Sequence, residues 1–207
     1  RSSAASDVYK RQVCGFTGLQ KNDLNLVLQK RYALLNWQQG SGKTAAVYQR
    51  ARYLLKAGRV RNAFILAPAI AVNMTWEPFL KNNGEDYRVI RSHTDLEDVP
   101  PGQFLVISTS MLCRLKRYLM RFIKRSARRL CLVFDESDEI TNPVSQRTRY
   151  IIAIFRRVKF KILDTGTTTR NNITELYSQF ELLYNNSINM TCWSPQVYRQ
   201  NRDKLIE

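Results

Sequence analysis

Short runs of apolar, β-branched and aromatic residues recur along the chain, separated by longer stretches whose apolar residues fall at helical spacing. Residues 32–36, 63–67, 87–90, 104–107, 130–134 and 159–163 read as strands. Residues 43–57, 72–81, 110–124, 144–155 and 173–184 read as helices. Each strand is nearly continuous in apolar residues rather than alternating, as strands buried on both faces are. Strand and helix in regular alternation predict an α/β fold, a three-layer sandwich around a mostly parallel sheet. Residues 94–102, with Asp95, Glu97, Asp98 and the pair Pro100-Pro101, read as a surface loop. No internal repeat or low-complexity tract interrupts the pattern.

At 207 residues the chain suits one domain able to bury its own core. Its longest apolar run, residues 63–72, contains Pro68 and falls well short of the roughly 20 residues that cross a bilayer, so no membrane partner is expected. Residues 1–12 lack the apolar centre of an export signal and resemble a translated adaptor sequence; they read as a non-native leader. A cytoplasmic protein of microbial or viral origin is expected. Lys and Arg number 33 against 17 Asp and Glu, a net charge of +16. Removing the leader's three cations and one acid leaves +14. Such a balance points to a polyanionic partner, nucleic acid before anionic membrane, although a merely soluble basic protein has the same arithmetic. The four cysteines are scattered and His93 is the single histidine, so no zinc spacing arises. His93 reads as a surface-loop residue.

Chemistry enters directly after the first strand, where Gln38-Gln39-Gly40-Ser41-Gly42-Lys43-Thr44 opens a helix. Gly40 and Gly42 allow backbone conformations that turn successive N–H groups inward, and the helix N-terminus adds its positive end, which together cradle phosphate. Lys43 is placed to reach the β- and γ-phosphates, and the Thr44 hydroxyl to ligate Mg²⁺. Trp37 departs from the usual loop, which has Gly or Ala six residues before the lysine. Farther on, the apolar run 130–134 ends in Asp135-Glu136-Ser137-Asp138. Acids at the carboxyl end of a buried strand lie where open α/β sheets bind ligands. Asp135 is placed to hold Mg²⁺ through water, and Glu136 to polarise an attacking water. Taken alone, such a pair could equally cap a helix.

With both motifs placed, residues 19–183 resemble the first ATPase lobe of superfamily two helicases and translocases, most of all the Swi/Snf-like branch. Phe64-Ile65-Leu66-Ala67-Pro68 followed by Trp76-Glu77-Pro78-Phe79 is similar to that branch's second motif. Val106-Ile107-Ser108-Thr109-Ser110 is similar to its next one, and Asp135–Asp138 to its DEAD/DEAH-type box. The stretch from Asp164-Thr165-Gly166-Thr167 to Glu175-Leu176 resembles the branch's Thr-Gly-Thr-Pro element, with Thr168 in place of the proline. The resemblance implies a RecA-like P-loop fold, ATP and Mg as cofactors, Lys43 and Glu136 in catalysis, and coupling through Thr165, Gly166 and Thr167. It implies that Gln20, in Leu19-Gln20-Lys21, reads the adenine edge, with Gln29 a weaker competitor. It places strand-tracking contacts around Pro68, Thr109 and Ser110.

Independently of any family, residues 112–125 carry Leu112, Leu115, Leu119 and Phe122 at helical spacing, and the opposite face presents Arg114, Arg117 and Arg121 among other cations. Backbone phosphates suit such a row, and so does plain solvent. The domain division read from the sequence is a leader at 1–12, an ATP-binding lobe at 13–190, and the start of a linker or of a truncated second lobe at 191–207. The resemblance implies a second RecA-like lobe downstream, supplying arginines across the cleft. The reading is therefore one lobe of a nucleic-acid-dependent ATPase, with double-stranded DNA as its partner. A nucleic-acid-binding module with a vestigial nucleotide site, a DEAD-box-like RNA helicase lobe and an unrelated P-loop kinase are the other readings.

Overall fold

The computed structural model describes residues 16–28, 30–166 and 176–184. Six strands, β1 (Tyr32–Asn36), β2 (Asn62–Ala67), β3 (Tyr87–Val89), β4 (Phe104–Ser108), β5 (Leu130–Phe134) and β6 (Phe160–Thr165), form one sheet in the order β1-β6-β5-β2-β4-β3. Every pairing is parallel. The helices are α1 (Gly18–Leu28), α2 (Lys43–Lys56), α3 (Glu77–Asn82), α4 (Leu112–Ser126), α5 (Gln146–Phe155) and α6 (Tyr177–Leu183). Side chains along the strands alternate between two cores. Phe64, Leu66, Leu105, Ile107, Leu132 and Phe134 meet α4, α5 and α6 on one face. Ala63, Ile65, Phe104, Val106, Val133 and Ile162 meet α2 and the segment around Trp76 on the other. Burial on both faces is why the strands are apolar without interruption, each fully buried Leu, Ile or Phe contributing about 1.5–3 kcal/mol.

Strand positions agree with the sequence pattern to within two residues, and the differences have local causes. Strand β6 continues past Leu163 through Asp164 and Thr165, because β1 pairs with it as far as Asn36↔Thr165. Helix α1, not among the expected helices, starts at a reciprocal cap: the Thr17 N–H donates to Gln20 Oε1 (2.8 Å) and the Gln20 N–H to Thr17 Oγ1 (3.4 Å). The helix expected over 72–81 is divided, with a π-helical turn at Val72–Trp76 before α3.

Two buried cations tie these layers together. Arg50 on α2 is fully buried and donates to the carbonyls of Val27 (3.0 Å), Lys30 (2.6 Å) and Arg31 (3.3 Å), fastening the end of α1 to the start of β1. Lys161 on β6 donates from Nζ to the carbonyls of Arg156 (2.6 Å) and Leu183 (3.2 Å), where α5 and α6 end, and lies 4.9 Å from the Tyr32 ring centroid. A cation at two helix C-termini opposes their partial negative charge. Burial pushes Lys161 down to about 8, against a smaller upward pull from Glu181. A base with a folded pKa below its unfolded value is penalised while charged, and the penalty lifts as pH rises from about 8 towards 10.5. Stability against urea is expected to rise by up to ~3 kcal/mol across that window. Lys161→Met should flatten the rise; an equally steep rise in the variant assigns it to other groups.

Candidate functional site

The phosphate-type loop leaves β1 at the carboxyl edge of the sheet. Gly40 (φ 75°) and Gly42 (φ 82°) both take the left-handed conformation that favours glycine. Ser41 Oγ donates to the Gln38 carbonyl (2.6 Å), closing the turn. Lys43 is only 8% exposed, yet its Nζ has no hydrogen-bond partner. A buried ammonium without an acceptor is costly, and a phosphate oxygen is the acceptor that the loop geometry invites. Thr44 follows it in the first turn of α2. Gln20 donates from Nε2 to the Ser41 carbonyl (2.7 Å), so α1 is latched to the loop. Phe16, Gln20, Gly40, Ser41, Gly42, Ala45 and Gln49 surround a cavity of about 470 Å³. Trp37, the residue that departs from the usual loop, donates from Nε1 to Asp23 Oδ2 (3.0 Å) and packs edge-on against Phe16. Its bulk ties α1 to the base of the loop.

Strands β5 and β6 bring the acids to the same edge. Asp135 is buried, and one carboxylate oxygen accepts a 2.6 Å hydrogen bond from Trp76 Nε1. The π-helical turn aims that indole across the end of β5; such bulges recur at functional sites. Glu136 has φ 53° and ψ 56°, a conformation rare outside glycine. Burial pushes its carboxyl above the usual range, the Lys43 ammonium opposes this, and Asp135 and Asp138 add to it. The Gly166 N–H, by contrast, favours the charged carboxylate. A Cβ at Gly166 would lie 3.0 Å from Lys43 Nζ and 3.2 Å from Gln39 Cγ, so glycine permits this close approach. Thr165 is fully buried at the end of β6 beside Asn36. Thr167, Thr168 and the remainder of that element through Glu175 lie outside the described residues, as do Gln29 and the segments 1–12 and 191–207.

One residue of the site, Asp164, has no role in the sequence reading. Fully buried, it accepts the Glu136 N–H at Oδ1 (3.2 Å) and so holds the strained backbone of that residue. Its Oδ2 finds no donor, while its carboxyl faces that of Asp135. Burial first, then the neighbouring Asp135, push the Asp164 carboxyl well above the usual carboxylate range. The cue was present, an acid after Ile162-Leu163 just as Asp135 follows Val133-Phe134, but Asp reads as a strand terminator. Among the described residues no cluster of three or more His, Cys, Asp or Glu could hold a metal by itself. Thr44 and Asp135 instead offer oxygen donors that would suit a Mg²⁺ taking its remaining oxygens from phosphate and water, and the unpartnered Lys43 ammonium suits the phosphate.

The nucleic-acid candidates fall into two places. Pro68 follows β2, while Thr109 and Ser110 follow its neighbour β4, with Ala67 paired to Ser108, so these three share the carboxyl edge. The Ser108 and Ser110 hydroxyls are 2.8 Å apart. Arg114, Arg117 and Arg121 are exposed on α4, along the flank of the domain, and Arg114 donates to the Arg91 carbonyl (2.8 Å). His93 is exposed and stacks on Tyr118. No helix among the described residues is long and apolar enough to cross a membrane.

A family model described as type III restriction enzyme, res subunit, matches residues 10–170. The ATP-dependent helicase FUN30 of Saccharomyces cerevisiae is 26% identical over 176 residues, which are 80% of this chain and 15% of that protein. Among solved structures, the Sulfolobus solfataricus SWI2/SNF2 ATPase core in complex with dsDNA superposes with a TM-score of 0.69 at 17% identity, over 90% of this chain and 38% of that one. The UvsW helicase from bacteriophage T4 gives 0.57 at 16% identity, over 81% and 57%. The chain thus spans a minor part of the curated relative and 38–57% of these two structures.

Proposed function

The chain belongs to the family of the type III restriction enzyme res subunit, as a RecA-like first lobe of the superfamily two, Swi/Snf-like kind, and from that premise we propose that it is the ATP-binding half of a nucleic-acid-dependent ATPase. The observation that carries the proposal is the buried, unpartnered Lys43 ammonium at the same sheet edge as Asp135 and Glu136. In this reading Gly40, Ser41 and Gly42 wrap the phosphates and Lys43 meets the β/γ oxygens. Gln20 keeps a free N–H and a free lone pair for the adenine edge after its two bonds within the protein. Thr44 and Asp135 would hold Mg²⁺, which would supply positive charge against that building on the phosphoryl oxygens. Trp76 and Asp164 fix the orientation of Asp135. Glu136, with raised basicity, takes a proton from the attacking water.

Thr165 and Gly166 continue from β6 into the segment containing Thr167, so a change at the phosphate can be felt in the coupling element. Pro68, Thr109 and Ser110 offer a polar ledge for one nucleic-acid backbone, with Arg114, Arg117 and Arg121 adding phosphate contacts along α4. Double-stranded DNA is the proposed track, supported by the SWI2/SNF2 ATPase core, a protein whose structure is that of a complex with dsDNA. A second RecA-like lobe is proposed to complete the cleft with arginines, worth about 10³–10⁵ in rate.

The 207-residue chain is expected to bind Mg-ATP and to hydrolyse it close to the background rate, with or without duplex DNA. Joined to a second RecA-like lobe it should show DNA-stimulated turnover. Failure to bind ATP sinks the nucleotide-site reading. Brisk DNA-stimulated hydrolysis by the 207 residues alone removes the need for the second lobe.

A further inference from the structure

The carboxyl ends of the strands carry the loop and the acids, whereas at the opposite, amino-terminal pole the exposed charged residues entering β1, β6, β5 and β2 are cations, with Glu85 and Asp86 set apart before β3. Arg31 stands before β1, Arg61 before β2, Arg128 and Arg129 before β5, and Arg157 and Lys159 before β6, all of them exposed. They line two adjoining concave basins of about 710 and 500 Å³ that share Arg128 and Arg157. No acidic residue is among those lining either basin. The ion pairs found among the described residues, Arg52–Glu85, Arg91–Glu77 and Arg147–Glu139, involve none of the residues lining these basins.

Helix geometry accounts for part of this charge. Helices α4 and α5 end at this pole, and a cation in a last turn is favoured by the helix dipole. That field dies away within a turn, and Arg31, Arg61 and Lys159 precede strands instead of closing helices. Gathering like charges around shared basins costs the isolated fold through self-repulsion. An outside anion reverses the sign of that cost. The arginine fork matches phosphate in a bidentate way, and five of the six named residues are arginine. A membrane is the poorer match, because a basic patch anchors stably only with an inserted apolar element. None of the large exposed apolar side chains among the described residues lines these basins.

The pole faces away from the carboxyl edge, and strands of five to six residues separate the two by roughly 16–20 Å, about a duplex width. A straight duplex lying on one edge does not reach the other. We propose that the amino-terminal pole is a second nucleic-acid contact surface, which grips the phosphate backbone of a duplex segment distinct from the one at Pro68, Thr109 and Ser110. The proposal rests on the function given above only for the choice of nucleic acid as the polyanion. Holding a second segment raises the effective concentration of the track without any new contact at the ATP edge.

The test combines Arg128→Gln, Arg129→Gln and Arg157→Gln in the 207-residue chain and follows binding of a short labelled duplex by anisotropy, from about 50 to about 200 mM salt. Affinity at the lower salt should fall at least about tenfold, and the slope of log K against log salt should shrink by about 2–3, since each neutralised phosphate contributes ~0.9. ATP affinity should not change. In the unmutated chain, duplex should shield Lys124 and Lys159 from acetylation, a measurement that needs no variant to fold. Unchanged affinity and slope, or unshielded lysines, overturn the proposal while leaving ATP binding as the separate test of the nucleotide site. Binding to phosphatidylserine vesicles that the variant loses, with duplex binding intact, overturns the choice of nucleic acid.

Discussion

Glu136→Gln in the two-lobe protein is expected to lower DNA-stimulated ATP turnover by about 10²–10⁴-fold while ATP affinity stays within about threefold. The amide keeps the size of the side chain, and the Glu136 N–H still donates to Asp164, so the backbone at φ 53° has no cause to relax. What disappears is a carboxylate whose basicity burial has raised, the group able to take a proton from water. A steady-state rate alongside a nucleotide titration separates the two effects. Equal losses in rate and affinity would place Glu136 in nucleotide binding instead of proton transfer.

Lys43→Ala should abolish measurable ATP binding and leave thermal stability close to that of the parent. Its ammonium is buried without a hydrogen-bond acceptor, so its removal relieves that cost while forfeiting its attraction for Glu136 and Asp164, and the phosphates lose their partner. A charge-assisted phosphate contact in a site this buried is worth a hundredfold or more in affinity, roughly 3 kcal/mol. The decisive comparison is a melting scan with and without Mg-ATP. An ATP-induced rise in melting temperature that survives in the variant would rule out the loop as the phosphate site.

Legibility of the site followed the spacing of its parts. Gln38–Thr44 could be read because one contiguous loop supplies both the glycines and the lysine, and the left-handed φ at Gly40 and Gly42 is a local requirement. Asp135 and Glu136 could be read because they end an apolar run. Asp164 was passed over although it ends a similar run, since its significance depends on β6 lying beside β5. Trp76 belongs to a local motif, but its bond to Asp135 spans 59 residues and depends on β2 pairing with β5. Arg50 and Lys161 look in sequence like any surface cation of a basic protein. Their burial is decided by the carbonyls that α1, α5 and α6 leave open at their ends.

By itself the sequence determined the alternation of strand and helix, the parallel character of the sheet, the phosphate loop and the acids after β5, because each depends on residues within a turn or a strand of one another. Tertiary structure alone decided the order β1-β6-β5-β2-β4-β3, the indole and the second carboxyl brought to Asp135, and the gathering of Arg31, Arg61, Arg128, Arg157 and Lys159 at one pole. Those cations precede four different strands, and only lateral pairing of the strands sums their charges into one field. Coulomb interaction follows distance through space, and the hydrophobic pattern that builds each element carries no record of which element will be its neighbour.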